Sequence, residues 1–390
     1  MMATLGSVCR FLNGGTPSKA VQSYFEGDIP WITSADISGP IANYARSFIT
    51  EEAVRNSAVN KVAAGSVLLV TRTGVGKVAI AEKELCFSQD ITALIPDKSK
   101  LDAGYLVHFL RTKKAHFLAL ARGATIQGIT RNVVSDLSIL LPSLPEQRRI
   151  AAILDQADAL RAKRREALAQ LDSLTQSIFL DMFGDPVTNP KGWPELLTLG
   201  EVADIVSGVT KGRNLEGKTT RVLPYMAVAN VQDKALKLDA VKTIDATEDE
   251  IRRYLLQRND LLLTEGGDPD KLGRGTLWQN ELPECIHQNH VFRVRLTSDL
   301  LTPLFLNWLV GSQRGKKYFL RSAKQTTGIA SINMTQLRGF PLLIPPLPLQ
   351  QTFATRIKAI EALKTSHHAA LAELDALFAS LQQRTFAGKL

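Results

Sequence analysis

The sequence predicts an α+β protein in which two globular domains are separated by a pair of long antiparallel coiled-coil helices, with an internal pseudo-twofold repeat. The duplication is visible directly: residues 4–8 return as residues 198–202, and residues 30–37 return as residues 224–231, both 194 positions later. Each half also mixes strand and helix patterns and closes with a heptad pattern of apolar residues. Together these observations indicate a protein that grips something twice at a fixed separation.

Each half opens with patterns typical of buried strands. In the first half these are Val67–Val70 and Ile91–Ile95, which are short apolar runs bounded by turn residues. In the second half they are Leu261–Leu263 and Val291–Val294. The same succession of strands therefore predicts the same kind of domain twice.

Helical patterns follow the strands in both halves. Residues 104–121 and 303–321 hold apolar side chains at three- and four-residue spacing, which predicts helical structure. A last strand is expected at residues 137–141 and again at residues 340–344. The mixture of elements favours the α+β class.

The heptad patterns predict two long helices that pair with each other. Apolar residues step by alternating four and three positions from Ile150 to Ile178, and the pattern recurs 203 positions later. Because each helix follows its own globular segment and both patterns share one phase, antiparallel pairing within the chain is the economical arrangement. The residues expected to pair the helices are Ile150, Leu154, Leu168, Leu171 and Ile178 in the first and Phe353, Ile357, Leu371, Leu374 and Leu381 in the second.

A lone heptad segment would equally indicate a generic helical hairpin or a dimerising coiled coil, whereas the duplication favours a spacer. From Ile150 to Ile178 the helix rises roughly 43 Å at 1.5 Å per residue, which is about 13 base pairs of duplex. We therefore expect the domains to sit at opposite ends of the helical pair, which would set their separation.

Basic residues interrupt both heptad patterns. Residues 161–165 contain four cations, and Lys364, His367 and His368 interrupt the second pattern. In an antiparallel pair the two interruptions meet near mid-length, where like charges should repel each other. A solvated helix face, an acidic surface of a partner, or phosphates of an unread DNA spacer would each relieve that repulsion.

Composition limits the partner and the compartment. The formal net charge of +9 favours a polyanionic partner. The three cysteines are few and far apart, which argues against disulfides and for a reducing cytoplasm. No signal peptide and no apolar stretch of membrane-spanning length is visible, so we expect a soluble cytoplasmic protein without a membrane partner.

Motif-like strings give no catalytic site. Residues 73–77 resemble a phosphate-binding loop but lack its first glycine and its metal-binding hydroxyl. Cys285, His287 and His290 have a spacing that zinc could use, but their repeat counterparts lack the histidines, which favours an ordinary strand. The sequence also lacks a glycine-rich cofactor loop, the Asn-Pro-Pro-aromatic sequence of amino-methyltransferases and a helicase loop. We expect no catalytic residues, no cofactor and no metal.

Polar loop residues between the buried strands are the candidates for reading DNA bases. Arginine and lysine suit guanine, asparagine and glutamine suit adenine, and acids suit cytosine. Gln89 and Gln288 recur between the halves, so they could instead serve the fold, and any single candidate could be a solvated surface residue. The candidates are Lys19, Ser34, Arg72, Lys77, Gln89, Gln127 and Arg131 in the first half and Lys211, Arg213, Asn230, Glu265, Lys271, Arg274, Gln288, Lys324 and Gln325 in the second.

Four segments resemble the specificity subunits of type I restriction-modification systems. They are the Pro-Ser-Leu-Pro-Glu-Gln of residues 142–147, the Phe-Gly-Asp-Pro of residues 183–186, residues 327–333, and the Pro-Pro-Leu-Pro of residues 345–348. Each string is weak alone, but their order and twofold recurrence are specific and cover essentially the whole chain. The second helix lacks the Glu-Gln-Arg-Arg start and the Gly-Asp exit of the first, which puts the equivalence of two docking surfaces in doubt.

The resemblance implies a non-catalytic subunit for sequence recognition. Target-recognition domains at residues 1–144 and 186–347 would each read half of a bipartite double-stranded DNA target. Helices at residues 145–185 and 348–390 would fix the spacer and dock two modification (methyltransferase) subunits, which restriction/translocase subunits would join.

Two other classes of function remain open from the residues alone. One is a stand-alone DNA-modifying enzyme with a divergent site, which an activity assay on the purified chain would reveal. The other is a coiled-coil adaptor that binds only protein, which steeply salt-dependent binding to duplex DNA would exclude.

Overall fold

The computed structural model describes residues 1–123, 127–267, 272–326 and 329–388, without the side chains of residues 324–326 and 329. The chain forms two compact units, residues 1–167 with 367–390 (unit 1) and residues 168–366 (unit 2). Each unit contains a globular part and a segment of both long helices, α6 (Leu144–Phe183) and α12 (Leu347–Phe386). In the described part of the chain, no helix combines the length and the apolar character needed to span a bilayer.

The remaining elements of unit 1 are short. Its strands are β1 (Met2–Thr4), β2 (Cys9–Asn13), β3 (Ile29–Ile32), β4 (Ile41–Ala42), β5 (Ser47–Ile49), β6 (Lys61–Val62), β7 (Val67–Val70), β8 (Val78–Ala81), β9 (Leu85–Phe87), β10 (Ile91–Pro96) and β11 (Ser138–Leu140). Its helices are α1 (Leu5–Val8), α2 (Glu51–Arg55), α3 (Ala103–Thr112), α4 (Lys114–Leu120) and α5 (Arg131–Ser135), with a 3-10 turn at Gln22–Phe25.

Unit 2 has a similar inventory. Its strands are β12 (Ala203–Ser207), β13 (Arg221–Met226), β14 (Val231–Gln232), β15 (Ala235–Leu236), β16 (Lys242–Ala246), β17 (Leu261–Thr264), β18 (Gly266–Gly267), β19 (Gly275–Leu277), β20 (Ile286–His287), β21 (Val291–Leu296), β22 (Lys324–Thr326) and β23 (Ile329–Ser331). Its helices are α7 (Leu199–Val202), α8 (Glu248–Tyr254), α9 (Pro303–Val310), α10 (Gln313–Ser322) and α11 (Met334–Arg338), with a 3-10 turn at Val228–Asn230.

Both units are built on one sheet topology. The core sheet runs β2-β10-β7-β8 in unit 1, with β4 added at the edge, and β12-β21-β17-β19 in unit 2. A second sheet places β3 between β5 and β9 in unit 1 and β13 between β16 and β20 in unit 2, and the β3–β9 and β13–β20 pairs are both parallel. The predicted duplication is therefore a duplication of the fold, and the four predicted buried strands are confirmed as β7, β10, β17 and β21.

The helical segments pair antiparallel within each unit. In unit 1, Arg164 hydrogen-bonds His367 at 3.1 Å, and Phe378 packs into the same core as Ile150 and Leu154. In unit 2, the rings of Phe179 and Phe353 are 5.6 Å apart. In unit 1 the C-terminal half of α12 thus packs against the N-terminal half of α6. In unit 2 the C-terminal half of α6 packs against the N-terminal half of α12. The ten residues expected to pair the helices are all buried or half-buried.

A buried glutamine anchors each long helix to its domain. The Gln147 Oε1 atom accepts a hydrogen bond from the Asp102 N–H at 2.9 Å, and its Nε2 donates to the carbonyls of Lys100 and Pro142 at 2.8 and 3.0 Å. Gln350 repeats all three bonds, with the Thr302 N–H and the carbonyls of Leu300 and Pro345 at 2.8, 2.9 and 2.8 Å. These bonds give the Leu-Pro-x-Gln strings a structural role.

The structure corrects two of the expected elements. The helical patterns at residues 104–121 and 303–321 each divide into two helices, because the chain turns at Lys113 and at Gly311 so that Phe117 and Phe319 can be buried completely. The strand expected at residues 340–344 is absent. Pro341 has no N–H, and this segment keeps only an isolated bridge to Thr198.

Repulsion between the basic interruptions is also a wrong expectation, because acidic residues of the same unit pair with the cations. In unit 1, Arg161 bonds Asp375 at 2.5 Å and Asp158 at 2.6 Å. In unit 2, Lys364 lies 2.8 Å from both Asp172 and Glu361. Lys364 and Glu361 lie 203 positions after Arg161 and Asp158. Asp172 lies 203 positions before Asp375. The ion pairs therefore belong to the repeat.

Candidate nucleic-acid interface

One end of the core sheet in unit 1 carries a cation on a rigid turn. The turn joins β7 to β8, and Lys77 stands immediately before β8. Val75 in the turn is buried, and Thr73 and Gly74 have φ values of 50° and 107°. Because a buried side chain fixes the turn, the Lys77 side chain leaves it at a defined place, and its ammonium donates to the Ser34 carbonyl at 3.0 Å.

Unit 2 repeats this turn between β17 and β19. Leu272 takes the place of Val75 in the core, and Arg274 stands immediately before β19. Gly273 has a φ of 74°, and a Cβ atom there would lie 2.7 Å from the Phe319 ring. The close approach packs the turn on α10 and requires glycine at this position.

Three polar side chains converge on an open cavity of about 420 Å³ beside the unit 1 turn. Lys77 and Gln127 line it, as does Lys114 at the start of α4. A neighbouring cavity of about 300 Å³ is lined by the same two lysines and by Arg111. Two candidates from the sequence are thus brought together, with two cations that sequence reasoning missed.

Two further candidates lie at the same end of the sheet. The Arg72 N–H donates to the Asp90 carbonyl at 3.2 Å, and Arg72 forms an isolated bridge with Gly128. Gln89 precedes Asp90 and is exposed. Ser34 is buried and contributes its carbonyl to Lys77.

The corresponding cavity of unit 2, of about 260 Å³, is lined by Arg274 and Lys316 together with Gln232 and Asp233. One Arg274 N–H donates to the Gln232 side chain at 3.3 Å, whereas the Arg274 Nε is buried without a partner among the described residues. This cavity therefore combines two cations with an amide and a carboxylate.

Lys234 adds positive charge near the unit 2 cavity. Although the residue is exposed, its ammonium lies 4.0 Å from the centroid of the Trp308 ring. Burial of the amine lowers the pKa of Lys234, Asp233 opposes the shift, and repulsion from Lys316 and Lys364 adds to it. The lowered pKa is therefore mainly an effect of desolvation.

The structure gives Asn230 a role inside the fold. Its Oδ1 accepts the Ala227 N–H at 3.0 Å and its amide donates to the Lys237 carbonyl at 2.8 Å. Asp36, its repeat counterpart, accepts the Thr33 N–H in the same way at 2.7 Å. We therefore propose that Asn230 closes a turn and does not read a base.

Arg213 and Glu265 also have partners within unit 2. Arg213 makes two hydrogen bonds to Glu250, which lower the pKa of that carboxyl to about 2, and it donates to the Thr210 carbonyl at 3.0 Å. The Glu265 carboxylate lies 2.5 Å from His290 Nδ1. Arg213 is held by the fold, so we propose a structural role for it, whereas among the described residues the Glu265 carboxylate pairs with His290.

The other candidates are dispersed. Lys19 is exposed in the loop after β2, the Lys211 ammonium lies 5.4 Å from the Tyr225 ring centroid, and the Arg131 guanidinium lies 5.1 Å from that of Phe11. Gln288 is half-buried, and its backbone pairs with Val209. Lys271 and the side chains of Lys324 and Gln325 lie outside the described residues, as do parts of the segment 327–333.

The cysteine and histidine string does not converge. Cys285 and His287 are buried, and the His287 Nδ1 donates to the Val291 carbonyl at 2.7 Å, while His290 binds Glu265. Cys9, Cys86 and Cys285 are free thiols. The Cys285 string is therefore used by the fold, as expected for a strand.

Comparisons with known proteins point to one family. The type I restriction modification DNA specificity domain matches residues 1–170 and 190–376. The MjaIX type I restriction enzyme specificity subunit of Methanocaldococcus jannaschii is 30% identical over 89% of this chain and 83% of its own length. The StySPI specificity subunit of Salmonella potsdam is 24% identical, over 100% of this chain and 88% of its own length.

The chain belongs to the type I DNA specificity family. This membership confirms the fold class expected from the sequence and the expectation of a DNA-specificity subunit without catalysis of its own.

Solved structures share the fold of the specificity subunit. The crystal structure of a type I restriction-modification S subunit from M. genitalium has a TM-score of 0.60 at 17% identity and covers 99% of this chain and 96% of its own. A second solved structure concerns the structural basis of complex assembly and conformational transition of the type I R-M system. It has a TM-score of 0.58 at 19% identity, over 100% of this chain and 98% of its own.

Proposed function

We propose that this specificity subunit reads a bipartite duplex target, with each globular part reading one half through the end of its core sheet that carries the turn before β8 or β19. The observation that carries the proposal is that the two units share one scaffold but differ in side chains around that turn. Gln127 lines the cavity of unit 1, whereas Gln232 and Asp233 line the cavity of unit 2. A shared scaffold with different polar groups suits two half-sites of different sequence.

Two modification subunits are the proposed protein partners, and restriction/translocase subunits would join them. Leu160 and Leu174 of α6 are exposed, and their repeat counterparts Leu363 and Leu377 of α12 are exposed as well. Each unit therefore has two exposed leucines, one on each long helix. Exposed apolar side chains that recur in both units support two equivalent docking sites.

Exchange of one globular part tests the reading of half-sites. Residues 1–141 would be replaced by the matching domain of a relative, and the methylated sequence would be mapped in a host that carries the chain with its modification subunit. One half of the target should change and the other half should stay. A change in both halves would contradict independent reading.

The isolated chain serves as the control for this experiment. It should bind duplex DNA with an affinity that falls steeply with salt, and it should neither methylate nor cut DNA. Methyl transfer by the chain alone, free of the modification subunit, would support the stand-alone enzyme instead.

A further inference from the structure

We propose that Lys77 with Lys114, and Arg274 with Lys316, are two equivalent phosphate-binding pairs that hold the DNA backbone in each unit without reading its sequence. This inference rests on the proposed DNA-reading function. It goes beyond that function by distinguishing residues that bind the phosphate backbone from residues that recognise bases. The ligand is the phosphodiester backbone of duplex DNA.

The two pairs occupy the same place in the two folds. Lys77 immediately precedes β8, which pairs with β7. Arg274 immediately precedes β19, which pairs with β17. Lys114 and Lys316 each stand three residues before a phenylalanine that is completely buried. In each unit both members of the pair line one cavity.

The fold positions these cations firmly. Phe117 and Phe319 anchor the helices that carry the lysines, while Val75 and Leu272 anchor the turns. Gly76 is close enough to Lys114 that a Cβ atom there would lie 3.0 Å from the lysine Cγ. A pair of cations on buried anchors loses little conformational freedom when it binds a phosphate.

Recurrence distinguishes phosphate contacts from base contacts. Half-sites of different sequence require different base readers, but the backbone is the same in both halves. The recurring pair therefore suits the backbone, and the side chains that differ, such as Gln127 and Asp233, suit readout. Among the described residues, the Lys77 ammonium uses one of its three hydrogens in the bond to the Ser34 carbonyl, which leaves two for a phosphate.

The recurrence at Lys19 and Arg213 is a useful contrast. These two cations also lie 194 positions apart, but Arg213 is bound to Glu250. A cation that is neutralised in one unit does not form a common anion site. The proposal is therefore confined to the two cavity pairs.

The test measures duplex binding by the full chain against salt concentration. The variants are K77Q/K114Q and R274Q/K316Q, and the probes are a duplex of random sequence and a duplex carrying the mapped target. The matched control is K98Q. Lys98 is exposed and follows β10, whose last residues lie at the opposite end of the core sheet from Lys77.

Each double variant should lose affinity by a similar factor on both duplexes. The slope of log affinity against log salt should fall by about 2, because each phosphate contact contributes about 0.9. K77R/K114R should retain both affinity and slope, and the complex with the modification subunit should methylate an unchanged sequence. K98Q should behave like the wild type.

Three results would overturn the inference. A loss confined to the mapped target, with an unchanged slope, would make the pairs base readers. A K77Q/K114Q variant indistinguishable from K98Q would place the cavity away from DNA. Failure of K77R/K114R to retain binding would show that charge is not the reason. If the wild-type chain itself shows no salt-dependent duplex binding, the proposed function fails instead.

Discussion

Single residues in this subunit show that a polar side chain in a recognition domain often serves the fold. Asn230 closes a turn that Asp36 closes in the repeat, and Arg213 is held by Glu250. Sequence reasoning selected Asn230 and Arg213 because their type suits DNA bases. Hydrogen-bond partners in the folded chain decide whether such a side chain remains available.

His287 has a consequence for stability against pH. Burial first, and the neighbouring Arg293 and Arg295, lower its pKa to about 4, although its bond to the Val291 carbonyl opposes the shift. The unfolded histidine titrates near 6.5, so below that pH the unfolded state binds a proton that the folded state refuses. Stability should therefore be lost as the pH falls from about 6.5 to about 4, by up to about 3 kcal/mol.

Replacement of His287 by asparagine tests this expectation. The asparagine amide can still donate to Val291 but does not titrate, so the loss of stability over this pH range should be smaller in the variant. Urea unfolding followed by tryptophan fluorescence at several pH values would measure it, with exposed His368→Asn as the control. Equal pH dependence in the wild type and H287N would show that another group is responsible.

At the scale of elements, the long helices are fixed to their domains by Gln147 and Gln350. Both side chains are fully buried, and each makes three hydrogen bonds to backbone groups of the loop before α3 or α9 and of the segment before its own helix. These contacts explain why the same Leu-Pro-x-Gln string begins both helices. Because both the oxygen and the nitrogen of each side-chain amide are bonded, each helix keeps its orientation relative to its domain.

Substitution of Gln147 by leucine should destabilise unit 1 strongly. The side chain keeps its approximate size, but the Asp102 N–H and two carbonyls lose their partner in a buried site, which costs about 3 kcal/mol. Q350L should have the same effect in unit 2. Exposed Gln156→Leu on α6 is the matched control. A Q147L chain as stable to urea as Q156L would refute the anchoring role.

At the scale of the whole molecule, several contacts of unit 1 have a counterpart in unit 2. The paired cations, the helix anchors, the ion pairs of the helices and the exposed leucines all recur. Such recurrence is expected for a subunit that binds two half-sites and two copies of a partner. The side chains that differ between the two cavities are then the ones expected to recognise different bases in the two half-sites.

The exposed leucines give a test of docking. L160E in unit 1 and L363E in unit 2 each place a charge at an exposed leucine, and we expect each single variant to retain one modification subunit and the double variant to retain none. Q156E and S366E, which add the same charge at exposed polar positions, should retain two. Subunit stoichiometry from size-exclusion chromatography with light scattering measures the outcome. Two bound subunits in L160E/L363E would move the docking site elsewhere.

The sequence by itself determined the duplication, the fold class and the family. Strand runs such as Val67–Val70 and the heptad patterns are local and periodic, so neighbouring residues suffice to predict them. Lys114 and Lys316 could also have been found, since each precedes a repeated phenylalanine. The separation of half-sites set by the helices stays a prediction.

Only the tertiary structure decided which polar side chains are free. Lys77 and Gln127 share a cavity although they are 50 positions apart in the chain. Arg161 hydrogen-bonds Asp375 although they are 214 positions apart. Contacts of this kind depend on strand pairing and helix packing between distant segments, which leave no periodic signal in the sequence. Hydrogen bonding and burial, rather than residue type, therefore determine which side chains the folded subunit can offer to DNA.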